Sequence, residues 1–300
     1  MTNTAKSFKD KWNYNKQLAF SETLREGSDI FSWILGRNGF KTAAKLKSYL
    51  KDKKRVLDAG CGNGRVTALL RKYSDPRKTE IIGVDLVSAG IAEKNLSQYK
   101  NVKIFKKDLT KNLDGLGGFD FIYCQEVLHH VKDPAAAFLN VCKRLTPGGE
   151  IAIYVYKKKA PIREFVDDYV RERISKYPYK YAMKACNQIT CLGKLLSECG
   201  TKIKIPDVDI LEIKAGEYSF QRFIYHFFMK CFWNPEMPFK DNSAINYDWY
   251  HPQDASRHTL YEVRGWFKKG KLRIVHECAD LYGITIRGRL NNDKSKSATK

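Results

Sequence analysis

The sequence predicts an α/β fold: a doubly wound, mostly parallel seven-stranded sheet with helices on both faces, plus a helical, aromatic-rich insertion after the fifth strand. Three observations predict it. Short apolar runs alternate with helix-like stretches between residues 53 and 156, the rhythm of a parallel sheet with crossover helices. The rhythm stops after Tyr156 and resumes at His258. The intervening stretch, 157–257, holds 17 of the chain's 38 aromatic residues, which suits a packed insertion rather than a linker.

Taken in order, residues 1–52 read as an N-terminal helical segment, with Phe8, Trp12 and Tyr14 as aromatic anchors and an amphipathic run from Lys41 to Leu50. Five apolar runs follow as strands: Arg55–Ala59, Glu80–Leu86, Val102–Phe105, Phe119–Cys124 and Glu150–Tyr156. Helices are expected between them over 64–73, 88–99 and 133–145, with Pro147-Gly148-Gly149 turning into the fifth strand. Inside the insertion, 161–176, 180–198 and 217–232 read as helices. Thr259–Lys269 reads as a helix with Thr259 as N-cap, Glu262 as its capping-box partner and Gly270 at its end. Leu272–Glu277 and Gly283–Arg289 close the sheet. The organisation is thus an N-terminal segment (1–52), a core in two pieces (53–156 and 258–290), an insertion serving as substrate cap (157–257) and a polar tail (291–300) expected to be disordered.

Bulk properties narrow the function classes. The 300-residue chain carries a net charge of +21, but the excess is spread: +5 over 1–52, +6 over 53–156, +4 over 157–257 and +6 over 258–300. A nucleic-acid arm would concentrate it, so nucleic acid is disfavoured as a partner, and the charge favours an acidic small molecule by long-range attraction. No stretch approaches about 18 uncharged apolar residues, so no membrane span is expected. The start, MTNTAKSFKDKW, lacks the apolar core of a secretory signal, which points to the cytoplasm. The eight cysteines form no C-x-x-C pair and read as reduced thiols, several of them buried.

The informative segment is Val56-Leu57-Asp58-Ala59-Gly60-Cys61-Gly62-Asn63-Gly64-Arg65, which follows one predicted strand and opens a predicted helix. Glycines at 60, 62 and 64 permit a tight turn and close approach of backbone to a ligand. Their spacing is G-x-G-x-G, not the dinucleotide G-x-G-x-x-G. Asp58 precedes them, and a carboxylate there repels a pyrophosphate; it suits a ligand with a cationic amino group.

This segment resembles the first motif of the class I, Rossmann-like S-adenosylmethionine-dependent methyltransferases, of bacterial small-molecule type. The resemblance runs over about 53–156 and again over 258–290. It implies that the loop of Asp58, Gly60, Cys61, Gly62, Asn63 and Gly64 wraps the methionine part of the cofactor. It implies that Asp85, in GVDL, binds the ribose hydroxyls with Leu86 beside it, and that Asp108, followed by Leu109, meets the adenine amino group. Gln125 and Glu126, ending the fourth strand, fall near the methyl donor. The segment LTPGGEIAI also matches the family's entrance to its fifth strand. The implied cofactor is S-adenosylmethionine and the product S-adenosylhomocysteine.

Acceptor chemistry is less determined. His129 and His130, in VLHHV, are candidates for a general base because histidine as a residue type serves that role, but such sequences in this family also serve cofactor-side structure. His258 is a third catalytic candidate. The stretch from Asn246 to Thr259 places Tyr250, His251 and Arg257 as candidate substrate contacts; a loop packed on the sheet's edge is the plainer alternative. A metal site from Asp248, His251, Asp254 and His258 is opposed by Pro252, which breaks one regular helix, so no metal is expected. Tyr218–Trp233 holds eight aromatics in 16 positions; a packed cap helix or a substrate groove containing Tyr225 would each explain it.

The leading function is methyl transfer to a small molecule or small biosynthetic intermediate, with the insertion as the lid that selects it. Base-amino methyltransferases of this family carry an Asn/Asp-Pro-Pro-aromatic motif where this chain reads Cys124-Gln125-Glu126-Val127. The alternatives are ribose or cap methylation of RNA, a non-catalytic protein that binds the cofactor, and the same fold used for oxidation or rearrangement. The alternative to the lid is an insertion that serves as the interface of a homodimer.

Overall fold

The computed structural model describes residues 1–292. The expectation of a disordered tail over 291–300 falls outside the described residues except at Asn291 and Asn292. In chain order the early elements are α1 (Asn3–Tyr14), α2 (Phe20–Leu24), α3 (Asp29–Arg37), α4 (Ala43–Leu50), β1 (Arg55–Ala59), α5 (Arg65–Lys72), β2 (Glu80–Asp85), α6 (Ala89–Asn95), β3 (Val102–Lys106), β4 (Phe119–Gln125), α7 (Pro134–Cys142) and β5 (Leu145–Tyr156). The insertion contributes α8 (Pro161–Ile174), α9 (Tyr179–Glu198), β6 (Lys202–Ile205), β7 (Gly216–Ser219), α10 (Phe220–Phe227) and α11 (Phe239–Tyr250). The chain closes with α12 (Leu260–Lys269), β8 (Leu272–Ala279) and β9 (Gly283–Leu290). These elements form two compact units, one of Met1–Leu18 with Lys158–Arg257, the other of Ala19–Lys157 with the chain from His258 onward.

The second unit is a seven-stranded sheet in the order β3-β2-β1-β4-β5-β9-β8. Neighbours among β1 to β5 pair parallel, and β9 runs antiparallel to both β5 and β8. Strand alternation divides the core between the two faces. Leu57 and Ala59 of β1 pack with Phe138 of α7 and Val263 and Phe267 of α12. Val56 packs with Leu35, Leu46, Leu50 and Leu69 of α3, α4 and α5. Each such fully buried side chain contributes about 1.5–3 kcal/mol. Local signals start the helices: Ser28, Thr42 and Asp133 accept from the backbone N–H three residues on, at 3.1, 3.2 and 2.9 Å. The expected capping box forms, Thr259 Oγ1 accepting from Glu262 N at 3.2 Å while Glu262 accepts from Thr259 N at 2.6 Å.

The first unit is organised about Asp167, fully buried on α8. Its carboxylate accepts from Arg163 Nε at 2.7 Å, Trp249 Nε1 at 2.9 Å, Tyr250 Oη at 2.8 Å and Lys230 N at 2.9 Å. Arg163, Asp167 and Arg171 recur at four-residue spacing and so share one face of α8.

Two expectations are corrected. The insertion is not wholly helical: Lys202-Ile203-Lys204-Ile205 alternates with period two and pairs antiparallel with Gly216–Ser219. The helix expected over 217–232 is therefore β7 followed by α10, which Ser219 caps by accepting from Arg222 N at 3.3 Å. Asn246 to Tyr250 is not loop but the last turns of α11, which Pro252 bars from continuing. The N-terminal segment divides at Leu18 and Ala19 between the two units, Ala19 taking the left-handed backbone, φ 54°.

Candidate active site

The sheet order reverses at β1, which has β2 on one side and β4 on the other. Ligands of doubly wound sheets bind in the crevice at the strands' carboxyl ends at such a switch point. There the chain leaves β1 as the glycine turn and leaves β4 at Gln125. Gly60, Gly62 and Gly64 have φ of 86°, 57° and 88°, a region L side chains avoid. A Cβ on Gly60 would also lie 2.3 Å from Val127 Cγ2, so the β1 and β4 loops touch only because position 60 has no side chain.

Asp85 fastens this turn. Its Oδ2 accepts from Gly62 N at 3.1 Å, and its Oδ1 from Val87 N at 2.9 Å and Ser88 N at 2.8 Å. Ser88 Oγ returns a bond to Gly62 O at 2.7 Å, and Asn95 Nδ2 donates to Asn63 O at 2.9 Å. A carboxylate offers about four acceptor positions, so Asp85 retains roughly one. Leu86 beside it is exposed.

Asp58 is different. It is 3% exposed and accepts from Thr67 Oγ1 at 2.6 Å. Burial, against the opposing pull of Thr67 and Arg65, pushes its carboxyl up to about 6, and the Asp85 charge adds to the rise. A cation brought beside such a carboxyl would return it toward its ordinary range. Cys61, between the two acids, has its thiol pushed up by burial and by both carboxylates, so it packs rather than reacts.

The other cofactor candidates sit around this crevice. Asp108 Oδ1 accepts from Thr110 N and Oγ1 at 2.9 and 2.7 Å, closing the turn after β3, with Leu109 buried beside it. Gln125 Oε1 accepts from Asn38 Nδ2 at 3.2 Å, while its Nε2 is buried without an acceptor among the described residues. Glu126 takes φ 60° and pairs with Arg65 at 3.1 Å.

Of the catalytic candidates, His129 and His130 lie in a short 3-10 turn after β4, Leu128–His130. His129 is fully buried and stacks on Tyr156 with ring centres 3.6 Å apart; His130 meets the same ring edge-on at 5.5 Å. His258 N donates to Tyr156 O at 2.9 Å and its ring meets Trp266. All three therefore gather about the carboxyl end of β5. Tyr225, Tyr250, His251 and Arg257 belong to the other unit. Tyr250 Oη donates to Asp167 and to Lys230 O at 2.9 Å. His251 joins Ser7 Oγ at 2.7 Å and Tyr177 O at 2.9 Å, and burial lowers its pKa. Arg257 pairs with Glu164 and Asp168. Asp248 holds Lys11 at 3.0 Å and Asp254 holds Thr4 at 2.7 Å. Among the described residues no three His, Cys, Asp or Glu side chains gather as a metal site, and no helix is long and apolar enough to cross a membrane.

Sequence reasoning missed Thr67, Ser88 and Asn38, which support the site without standing in a recognisable motif, and gave no role to Arg65 at the end of the glycine segment. The only available signal was position: Thr67 is three residues past the last glycine, Ser88 three past Asp85.

Comparison with known proteins agrees with this arrangement. A methyltransferase-domain family model matches residues 35–189, just over half of the chain. Phosphoethanolamine N-methyltransferase 1 of Triticum aestivum is 32% identical over 194 residues, covering 62% of this chain and 36% of its own length. Ubiquinone biosynthesis O-methyltransferase of Pseudomonas aeruginosa is 34% identical over 103 residues, covering 33% and 42%. The chain thus spans less than half the length of either relative. Among solved structures, the CurJ carbon methyltransferase superposes with a TM-score of 0.51 at 12% identity, covering 94% of this chain and 59% of that one; the likeness is one of fold. With the glycine turn, the two carboxylates and the sheet order in place, the family match settles the assignment: the chain belongs to the class I, Rossmann-like S-adenosylmethionine-dependent methyltransferases.

Proposed function

We propose that the protein transfers a methyl group from S-adenosylmethionine to a small-molecule acceptor and releases S-adenosylhomocysteine. The observation that carries the reading is the glycine turn flanked by two carboxylates in unlike environments, Asp58 buried and raised to about 6 and Asp85 tied to the turn's backbone. Asp58 suits the cationic amino group of the cofactor, whose arrival would restore the charged carboxylate. The remaining acceptor position of Asp85 suits a ribose hydroxyl. Asp108, with only Oδ1 engaged in its own turn, keeps Oδ2 for an exocyclic amino group. Gln125 Nε2 brings a spare donor to the end of β4.

When bound, the cofactor supplies a methyl group already activated on a sulfonium. The protein's task is then alignment, which in well-oriented systems removes about 7–11 kcal/mol of barrier. A base is needed only where the acceptor must lose a proton; His129, His130 and His258, grouped about Tyr156, are the candidates. We assign acceptor selection to the 157–257 unit, with Tyr225, Tyr250, His251 and Arg257 as its candidate contacts. A relative named for phosphoethanolamine supports a small acceptor over a macromolecule.

The test is calorimetry with S-adenosylmethionine, S-adenosylhomocysteine and NAD, followed by a mass-shift screen of candidate acceptors. Micromolar binding of the first two, about −8 kcal/mol, is expected, with none of NAD. Tight NAD binding without cofactor binding would overturn the reading.

A further inference from the structure

The end of α3 is fastened to the antiparallel side of the sheet. Arg37 donates from Nε to Thr285 Oγ1 at 3.1 Å, from Nη2 to Gly283 O at 2.8 Å and from Nη1 to Asp280 Oδ2 at 2.5 Å. Its own carbonyl accepts from His276 Nε2 at 2.7 Å, and the Asn38 carbonyl accepts from Arg287 Nη1 at 3.0 Å. Gly39 follows with φ 76°, where a Cβ would lie 2.7 Å from His276 Nδ1. Arg37 and Asn38 are thus held by β8, β9 and the turn between them, and both side chains are buried.

This anchorage fixes an amide beside the end of β4. Asn38 Nδ2 donates to Ile34 O at 2.8 Å and to Gln125 Oε1 at 3.2 Å, with Tyr123 Oη at 3.5 Å. A backbone carbonyl only accepts, so the Asn38 atom facing Ile34 is its nitrogen. The Gln125 atom facing that nitrogen is then its oxygen. Gln125 Nε2 is left as the other arm of the amide, buried and without an acceptor among the described residues. Capping the last turn of α3 is the plainer role for Asn38, but bonding Ile34 O uses one of its two N–H groups. It accounts neither for the second bond nor for a buried donor on Gln125, whose desolvation is costly.

The register of the sheet places Gln125 relative to Asp58. Asp58 pairs with Tyr123, and Gln125 stands two residues beyond Tyr123 on the neighbouring strand. Partners in register project to one face: Val56 and Phe121 both enter the core that α3, α4 and α5 cover. Asp58 and Gln125 continue those two rows, Asp58 meeting Thr67 of α5 and Gln125 meeting Asn38. With about 3.3 Å of rise per residue and about 4.8 Å between strands, their Cα atoms are roughly 8 Å apart. One face at the carboxyl ends of β1 and β4 thus carries a carboxyl raised by burial and an amide donor that lacks an acceptor. An ammonium and a carboxylate on a single carbon answer both groups.

We propose that Gln125 Nε2 donates to the α-carboxylate of the cofactor's methionine part, and that Asn38 is the positioning residue that turns the amide to do so. The identity of that ligand rests on the methyl-transfer reading; the orientation of the amide does not. Asp58 alone selects for an amino group, whereas Asp58 with Gln125 selects for an amino acid. Without Asn38 the Gln125 amide is free to present its oxygen, which repels a carboxylate.

The test is calorimetry on the full chain with two ligands. One is S-adenosylhomocysteine; the other is its decarboxylated analogue, which keeps the nucleoside, the thioether and the ammonium. Gln125→Met keeps the side chain's length and removes the donor. It should weaken S-adenosylhomocysteine about tenfold and leave the analogue unchanged. Asn38→Ala should weaken S-adenosylhomocysteine about threefold or more, again sparing the analogue, and should add nothing in the Gln125→Met background. Asn38→Ser, whose hydroxyl can still bond the Ile34 carbonyl, serves if the alanine variant does not fold. Equal losses for both ligands in Gln125→Met, or no loss, would overturn the carboxylate contact. An Asn38 loss that persists undiminished in the Gln125→Met background would show that Asn38 acts on the fold and not through Gln125. Wild type that binds neither ligand would remove the methyl-transfer reading and the contact with it; S-adenosylhomocysteine binding with equal losses removes the contact alone.

Discussion

Replacing Asp58 by asparagine separates what the site costs the fold from what it gives the cofactor. The carboxyl is 3% exposed and raised to about 6, against roughly 3.9 in an unfolded chain. That difference corresponds to about 3 kcal/mol. A carboxyl raised on folding favours the native state where it is protonated, so this contribution is fully present below about pH 4 and is lost as pH rises through about 6. Asparagine has no such titration, and its carbonyl can still accept the Thr67 hydroxyl. Asp58→Asn should therefore match wild type near pH 4 and exceed it by up to about 3 kcal/mol at pH 8, read by urea denaturation across pH. Cofactor affinity should move the other way: wild-type binding weakens as pH falls through about 6, because the amino group requires the carboxylate, and the variant binds weakly at every pH. A variant no more stable than wild type at pH 8, with unchanged affinity, would refute both the burial argument and the assignment of Asp58 to the cofactor.

Three further outcomes are expected. Asp85→Ala removes the tether of Gly62 and a ribose acceptor together, so S-adenosylhomocysteine affinity should fall about tenfold or more, at least 1.4 kcal/mol; an unchanged Kd in a folded variant disproves the role. Gly60→Ala forces a side chain into φ 86° and onto Val127, and should destabilise by about 2 kcal/mol or more with loss of binding; normal denaturation would show that the β1 and β4 loops can separate freely. Tyr250→Phe deletes a hydroxyl bonded to Asp167 and to Lys230 O, and should cost about 1–3 kcal/mol of stability with cofactor affinity intact; a neutral melt would mean that hydroxyl is not part of the unit's buried network.

The sheet and the glycine turn were legible because both are written locally. Strand alternation in β1 fixes which side chains meet which helices, and a glycine at 60 is the only residue that fits beside Val127 at that φ. The carboxylates of Asp58 and Asp85 could be placed at strand ends by counting, but not distinguished. Their difference depends on burial and the Thr67 hydroxyl at Asp58, and on the backbone N–H groups of Gly62, Val87 and Ser88 at Asp85. The β6–β7 hairpin was hidden because the helix-like aromatic spacing of 217–232 masked a four-residue alternation at Lys202–Ile205, and strand pairing between segments more than ten residues apart leaves little local trace.

The acceptor candidates in the insertion show why the rest resisted. Tyr250, His251 and Arg257 stand out in sequence as polar groups among aromatics, the composition of a binding pocket. The same composition arises when a small unit must bury charge, because each buried ion then needs donors and acceptors around it. Tyr250 answers Asp167, His251 links Ser7 to the Tyr177 carbonyl, and Arg257 neutralises Glu164 and Asp168. Sequence pattern cannot separate these causes; a count of satisfied partners can. By that count Tyr250 and His251 are engaged within their own unit, and Arg257 is paired there too although its Nη1 is buried without an acceptor among the described residues.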